Sequence, residues 1–178
     1  MIPAARIVSV MNAVDGDISM NKVTLTQYEM VTAAMAGVFR HVENMANGVK
    51  DRHCANEKNG WQVHIDGALA ECALAKWIDR YWEGKGTRGG SDVGPYDVRH
   101  AISDNLRLII HDYDPDQRIF FFVTGSNGQY TVQGGIRAID GKKKQYWWAD
   151  APSPAYFIPK DRLISAEQLR DLIVSGDA

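Results

Sequence analysis

The stretch Asp66–His100, DGALAECALAKWIDRYWEGKGTRGGSDVGPYDVRH, decides what the rest of the chain has to support. Its first part repeats apolar and small residues with a helical period, and the carboxylate of Glu71 lies among them. Its last part places Asp92, Asp97 and Arg99 within eight positions around a Gly-Pro turn signal. The pattern therefore predicts a helix and a strand pair that bring three acids and one cation together.

The helix of this stretch is predicted from Trp61 to about Trp82, and Glu71 lies on its small-residue stripe. The stripe consists of Gly67, Ala68 and Ala75. Small residues allow close packing against a neighbouring element, so we expect the Glu71 carboxylate to be partly buried. Because an unpaired buried carboxylate is costly, two alternatives stay open: an ion pair with an arginine or lysine, or a role as a ligand.

An earlier helix is predicted after the capping box of Thr26 and Glu29. Its apolar positions keep a helical period and are Val31, Ala34, Val38, Val42 and Met45. Gly37 lies inside this helix and costs about 1 kcal/mol relative to alanine. Packing against the rest of the protein must therefore hold the helix in place.

Strand patterns dominate the chain after the Gly-Pro turn. Runs over 96–102, 106–111, 118–124 and 129–139 read as a meander, and the third is apolar enough to be covered on both faces. Gly134-Gly135 indicates a bulge or a close approach. A last helix follows the capping box at Ser165, with Leu169, Leu172 and Ile173 expected inward. The fold class predicted is α/β, with a mixed or largely antiparallel central sheet flanked by helices.

Composition limits what the protein can be. The 178 residues carry a formal net charge of -2, so any contact with nucleic acid must come from a local patch. We expect one domain, with an N-terminal arm and helix over 1–60 and a core over 61–178. The two cysteines favour a reduced intracellular, cytoplasmic setting. No apolar run approaches the ~20 residues of a membrane span, and no signal peptide is predicted.

The acids have the chemistry of a magnesium or manganese site. Asp97 and Arg99 are two positions apart, so their side chains share one face of a strand. Hard divalent ions prefer oxygen ligands, which Asp92, Asp97 and the backbone carbonyl of Val98 would supply. Glu71 would hold a metal-bound water or a second ion. Such an ion polarises a phosphate and lowers the pKa of its bound water, and Arg99 would stabilise the negative charge that develops.

This arrangement resembles the PD-(D/E)XK nuclease superfamily. That family has a helix glutamate, a strand aspartate and an acid-x-lysine strand, in the element order α-β-β-β-α-β. The resemblance covers residues 61–140 and is greatest to small phage or prophage proteins of this fold. It implies a restriction-endonuclease-like core and a Mg²⁺-dependent phosphodiesterase with Glu71, Asp92 and Asp97 at the metal. Arg99 stands where the family has lysine.

The resemblance predicts a nuclease that hydrolyses phosphodiester bonds, with DNA as the expected substrate. Two alternatives stay open: a catalytically inactive, phage-encoded module of the same fold that binds DNA or a host protein, and a structural phage protein. Arg99 stays protonated and cannot act as a base. This departure from the family, together with the missing positive field, supports the inactive module as the second interpretation after the nuclease.

Basic residues outside the acid cluster are candidates for contacts with nucleic acid. Lys85 and Arg88 lie in the glycine-rich connector, and Lys142, Lys143 and Lys144 come just before a run of aromatic residues. Lysines on phosphates and aromatic rings on bases are typical of single-strand binding. The alternative for the lysine run is a solvated hairpin tip followed by core aromatics.

Three further groups have weaker signals. His53, Cys54 and Cys72 lack the spacing of a zinc site and are expected to be structural or exposed. The acids Asp112, Asp114 and Asp116 alternate like the start of a calcium loop, but the glycine and the later glutamate of such a loop are missing, so a turn is predicted. His64 and His100 either assist at the metal site or have structural roles.

Overall fold

A four-stranded sheet lies between a layer of helices and a smaller, three-stranded sheet. The structure, a computed structural model, describes residues 20–49, 60–85 and 90–176. The elements are β1 Lys22–Thr24, α1 Gln27–Ala46, α2 Gly60–Trp77, β2 Tyr96–Ala101, β3 Leu108–Ile110, β4 Ile119–Ser126, β5 Gln129–Arg137, α3 Ala138–Gly141, β6 Trp147–Trp148, β7 Ala155–Ile158 and α4 Ala166–Ser175. The predicted N-terminal arm, His53, Cys54 and Arg88 lie outside the described residues.

The larger sheet has the strand order β1-β5-β4-β2 and mixed orientation, as predicted. Strands β4 and β5 form an antiparallel hairpin, but β2 and β4 are parallel. The expected meander is therefore wrong for β2 and β4. The reason is that the chain between them leaves the sheet and contributes β3 to the second sheet, whose order is β3-β7-β6. As a result β2 is an edge strand.

Strand β4 is buried on both faces, which confirms the prediction from its apolar run. Phe121 and Val123 face the core under the helices, and Phe120 and Phe122 face the core under the smaller sheet. Alternation along the strand thus serves two hydrophobic cores at once. Together these cores fix the position of the neighbouring strand β2.

The predicted close approach at Gly134-Gly135 is confirmed. The register of β4 and β5 shifts next to Gly134, whose φ of +132° favours glycine. A Cβ on Gly135 would lie 2.7 Å from the carbonyl oxygen of Phe120 and 3.0 Å from Leu169 in α4. The missing side chains therefore let α4 pack directly on β5.

Helix α1 begins at the predicted capping box, in which Thr26 accepts from the backbone N–H of Glu29. Its buried residues are Ala33, Gly37 and His41. A Cβ on Gly37 would lie 2.6 Å from the carbonyl oxygen of His64, so the two long helices approach each other closely there. Of the apolar residues that marked the helix in the sequence, Val31, Val42 and Met45 lie on its exposed side, whereas Ala34 and Val38 are half-buried.

Two other expectations are corrected. Helix α2 ends at Trp77 and not near Trp82, because Asp79 adopts a left-handed conformation with φ of +54°. In α4, Leu169 is buried as expected, but Leu172 is exposed. Within residues 20–49, 60–85 and 90–176, no helix has both the length and the apolar character to cross a membrane.

Candidate active site

The candidate site begins at the open edge of β2. The backbone N–H groups of Asp92 and Val93 both donate to the carbonyl oxygen of Tyr96 at 3.0 Å, which folds residues 92–96 into a tight turn. Asp92 Oδ2 in turn accepts from the N–H of Val98 at 2.8 Å. Because the N–H and C=O of one strand residue point the same way, we expect the Val98 carbonyl on this edge as well. The edge therefore brings the Asp92 carboxylate beside a backbone carbonyl.

Glu71 reaches the site from α2 and is 6% exposed. Both of its oxygens accept from Arg40 of α1 at 2.6 Å, and Oε2 also accepts from the indole N–H of Trp82 at 3.1 Å. The ion pair that the sequence left open as an alternative is therefore present. Close packing at Gly37 explains it, because it brings the next turn of α1, with Arg40, onto α2.

Tyr96 and Val98 of β2 face the helices, and Asp97 and Arg99 lie on the opposite face of the strand. Each of the two charged residues has a partner of its own. Asp97 Oδ1 accepts from Arg118 at 2.9 Å. Arg99 donates to Asp114 Oδ2 at 2.7 Å and to the carbonyl oxygen of Ile109 at 3.1 Å. Its guanidinium also lies 4.5 Å from the ring centroid of Phe120. Arg99 is thus fixed in orientation at the floor of the site.

The charges of the three acids act on one another. Burial raises the pKa of Asp92 to about 6, and the negative charge of Glu71 adds to this rise against the opposing Val98 N–H, Arg99 and Arg40. Burial and the charge of Asp92 likewise raise the pKa of Asp97, despite Arg118. Asp92, at the edge of β2, is therefore the acid whose charge interacts both with Glu71 of α2 and with Asp97 of β2.

The donor set agrees in chemistry with a magnesium or manganese ion, since it consists of carboxylate and carbonyl oxygens. Two of these carboxylates are not free to bind an ion, because Glu71 is already paired with Arg40 and Asp97 with Arg118. Among the described residues, no three His, Cys, Asp or Glu side chains come together closely enough to hold an ion. An ion would thus meet Asp92 first, and it would recruit Asp97 by displacing Arg118.

A cavity of about 860 Å³ opens beside Arg99. Its polar and aromatic lining includes His100, Arg107 and the half-exposed indole of Trp148. Val98 and Arg99 line it, but the three carboxylates do not. The cavity therefore lies next to the acids and shares only β2 with them; it does not enclose them.

The arginines that balance the acids were not predicted from the sequence. Arg40 is the only lysine or arginine in α1, which was the available signal. Arg118 opens the run into β4, and Arg107 precedes β3, but neither position is distinctive in a sequence. Pairs formed over 31 and 21 positions of chain leave no local pattern.

The predicted basic residues have different surroundings. Lys85 is exposed, with its ammonium 3.7 Å from Glu83, and Lys143 and Lys144 are exposed as well. Lys142 is mostly buried in the turn that starts after β3. Its ammonium donates to the carbonyl oxygens of Asp112 and Asp114 at 2.8 and 2.6 Å and to the Asp116 carboxylate at 2.7 Å.

The weaker candidates have structural partners. The ring nitrogen Nε2 of His100 lies 2.8 Å from the carbonyl oxygen of Gly125, and that of His64 lies 3.4 Å from Asn44. Burial raises the pKa of the Cys72 thiol to about 11, which keeps it protonated and unreactive near neutral pH. The residues 112–116 form the predicted turn.

Comparisons of this chain with protein-family models, with curated proteins and with solved structures find no match. The likeness to PD-(D/E)XK nucleases thus rests on the acids, their spacing and the elements that carry them.

Proposed function

We propose that this protein is a metal-dependent nuclease with a restriction-endonuclease-like core that hydrolyses phosphodiester bonds of nucleic acid, with DNA as the expected substrate. One observation carries the proposal. Asp92 is a partly buried acid at the open edge of β2 that accepts from the Val98 N–H, and its pKa is raised to about 6 by burial and by the charge of Glu71. Perturbed acids that act on one another are concentrated at functional sites. A divalent cation would relieve this repulsion.

Asp92, Asp97 and the Val98 carbonyl would hold Mg²⁺ or Mn²⁺, and Glu71 would orient a water bound to it. When bound, such an ion polarises a phosphate and makes a bound water more acidic. Asp92 must lose its proton to become a ligand, and a pKa of about 6 leaves it ionised at neutral pH. Arg99 would contribute positive charge toward the phosphate in exchange for its ion pair with Asp114, and it does not transfer protons.

The cavity beside Arg99 supports nucleic acid as the substrate class. Arg107 adds positive charge and His100 an imidazole ring along a wall that also carries the Asp66 carboxylate and apolar side chains, and Trp148 offers an exposed indole. Cations near phosphates and an aromatic ring under a base are the usual elements of single-strand binding. A strand held in the cavity would pass Arg99 and reach the edge of β2.

Cleavage assays on plasmid and on single-stranded DNA test the proposal. Wild type is compared with Asp92→Asn and Asp97→Asn in Mg²⁺ and in Mn²⁺. We expect each variant to lose activity at least 100-fold. Asp150→Asn, an exposed acid outside the cluster, is the matched control and should keep full activity. Equal cleavage by wild type and Asp97→Asn would rule out the assignment.

A second candidate is a catalytically inactive module of the same fold, phage-encoded, that binds DNA or a host protein. The observation that favours it is the compensation of Glu71 by Arg40 and of Asp97 by Arg118. Calorimetric titration with Mn²⁺ separates the two functions. An active site should bind Mn²⁺, and more tightly in Arg118→Gln, because Asp97 is then released. Silence in both proteins, with DNA still retarded on a gel, would favour the inactive module.

A further inference from the structure

Helix α1 presents a row of large apolar side chains to solvent, on the side away from α2. Each member is between 44% and 85% exposed. The apolar row consists of Tyr28, Val31, Met35, Phe39, Val42 and Met45. Tyr28 and Phe39 alone expose on the order of 300 Å². Continuous apolar patches of this size on soluble proteins usually mark an interaction surface.

The apolar row cannot turn inward. The opposite face of α1 is fixed by the backbone contact at Gly37 and by the two bonds between Arg40 and Glu71. Steps of three and four residues keep the row on one side over 17 positions, which is about 26 Å of helix. The row is therefore a rigid, straight seam, which suits another helix better than a loop or a flat surface.

We propose that the apolar row is the interface of a homodimer, in which α1 packs antiparallel against α1 of a second copy. The row is close to symmetric about its midpoint. In an antiparallel pair Tyr28 meets Met45 of the other copy, Val31 meets Val42, and Met35 lies by Phe39. At both ends of the helix pair and at its centre, an aromatic ring thus contacts a methionine, which is a favourable contact. Between these positions valine contacts valine. A two-fold interface needs this kind of self-complementary patch.

The charges along the seam fit a second copy better than they fit nucleic acid. In the same register Glu29 faces Asn44, and Glu43 faces Met30, so no like charges meet. The cation of α1, Arg40, is engaged by Glu71 and is unavailable to a phosphate backbone. An apolar, nearly uncharged partner surface is the complement of this row.

A groove of about 780 Å³ lies beside the apolar row, between α1 and residues 81–85. Val31, Met35 and Phe39 line one wall, and the segment with Tyr81, which is 87% exposed, lines the other. A stable pair of proteins buries about 800 Å² on each partner. The apolar row together with Tyr81 supplies surface of this order. The inference is independent of the proposed function, because Glu71, Asp92 and Asp97 do not line this groove.

Mass measurement tests the proposal. In light scattering over a concentration series we expect about 40 kDa for wild type, twice the 19.8 kDa chain. Phe39→Glu should give the mass of a single chain with an unchanged circular dichroism spectrum. Val174→Glu, which changes an exposed apolar residue of α4, is the matched control and should stay dimeric. A single-chain mass for wild type at all concentrations, or a Phe39→Glu dimer, would overturn the proposal.

A disulfide experiment tests the antiparallel register and does not depend on the folding of Phe39→Glu. Tyr28→Cys and Met45→Cys proteins are oxidised separately and as a mixture, beside wild type as the background for native cysteines. We expect a covalent dimer in the mixture well above that in either protein alone. Efficient crosslinking of Tyr28→Cys to itself would mean that the helices are parallel and would overturn the register.

Discussion

Glu71 is a buried acid and Asp92 beside it is a partly buried one, and their surroundings differ. Glu71 has two bonds to Arg40 and a third to Trp82. Asp92 accepts from the Val98 N–H and, within the part of the chain that the structure describes, forms no ion pair. The difference teaches that two neighbouring acids can be stabilised in different ways, Glu71 by a bidentate ion pair and Asp92 by a backbone N–H alone. Glu71 joins the two helices, and Asp92 is left to respond to protons and cations.

The largest effect is expected at the compensated acid. Arg40→Met leaves the Glu71 carboxylate buried without its cation, which should lower the free energy of unfolding by about 3–5 kcal/mol. Denaturant titration measures the loss. The double variant Arg40→Met/Glu71→Gln removes the stranded charge and should lose at most half as much. Equal losses in the single and double variants would mean that the ion pair does not hold the helices together.

The approach of α1 to α2, which delivers Arg40, can be disturbed through glycine. Gly37→Ala places a Cβ 2.6 Å from the backbone of α2 and should cost about 2 kcal/mol or more. Gly67→Ala is the control in the partner helix, because its Cβ meets no atom within 4 Å. It should gain up to about 1 kcal/mol from helix propensity. Thermal unfolding of both proteins should show shifts of opposite sign.

The uncompensated acid should reveal itself in the pH dependence of stability. The folded state keeps the Asp92 proton up to a pKa of about 6, whereas the unfolded state releases it near 3.8. Stability should therefore fall as the pH rises from about 4 to 6, by up to about 3 kcal/mol. Asp92→Asn should remove this fall. Denaturant midpoints from pH 4 to 8 measure it, and a variant parallel to wild type would contradict the raised pKa.

The smallest effect concerns the third bond of Glu71. Trp82→Phe deletes an indole N–H that donates to a buried carboxylate and should cost about 1–2 kcal/mol. Trp148→Phe removes an indole that is half exposed and should change the unfolding free energy by less than about 0.5 kcal/mol. Similar losses in the two variants would show that ring size, and not the bond to Glu71, determines the effect.

Local sequence patterns predicted the elements and the acids, because capping boxes and apolar runs act over a few residues. The capping box at Thr26, the run of β4 and the close approach at Gly134 are all present. The partners of the acids were not predictable, because Arg40 and Arg118 meet them only through tertiary packing. The same holds for the parallel pairing of β2 with β4, which depends on where the intervening chain goes.

The packed face of α1 shows the same limit. In isolation, its large apolar residues predict the buried side, because burial of apolar area usually decides orientation. Here the close contact at Gly37 and the ion pair of Arg40 decide it, and the small residues are inside. The sequence contained both signals, the large apolar residues and the small residues with Arg40. Which of them decides the buried side depended on how α1 packs against α2.

The turn at 112–116 has a consequence of its own. Lys142 puts its ammonium among three oxygens of a turn whose acids alternate like those of a calcium loop, and Asp114 of the same turn holds Arg99. Because the Lys142 ammonium is covalently attached to the chain, its local concentration at these oxygens does not depend on dissolved salts. Lys142 therefore serves as a built-in counterion for the oxygens of the turn. The placement of Arg99 should not vary with the calcium or magnesium content of the surroundings.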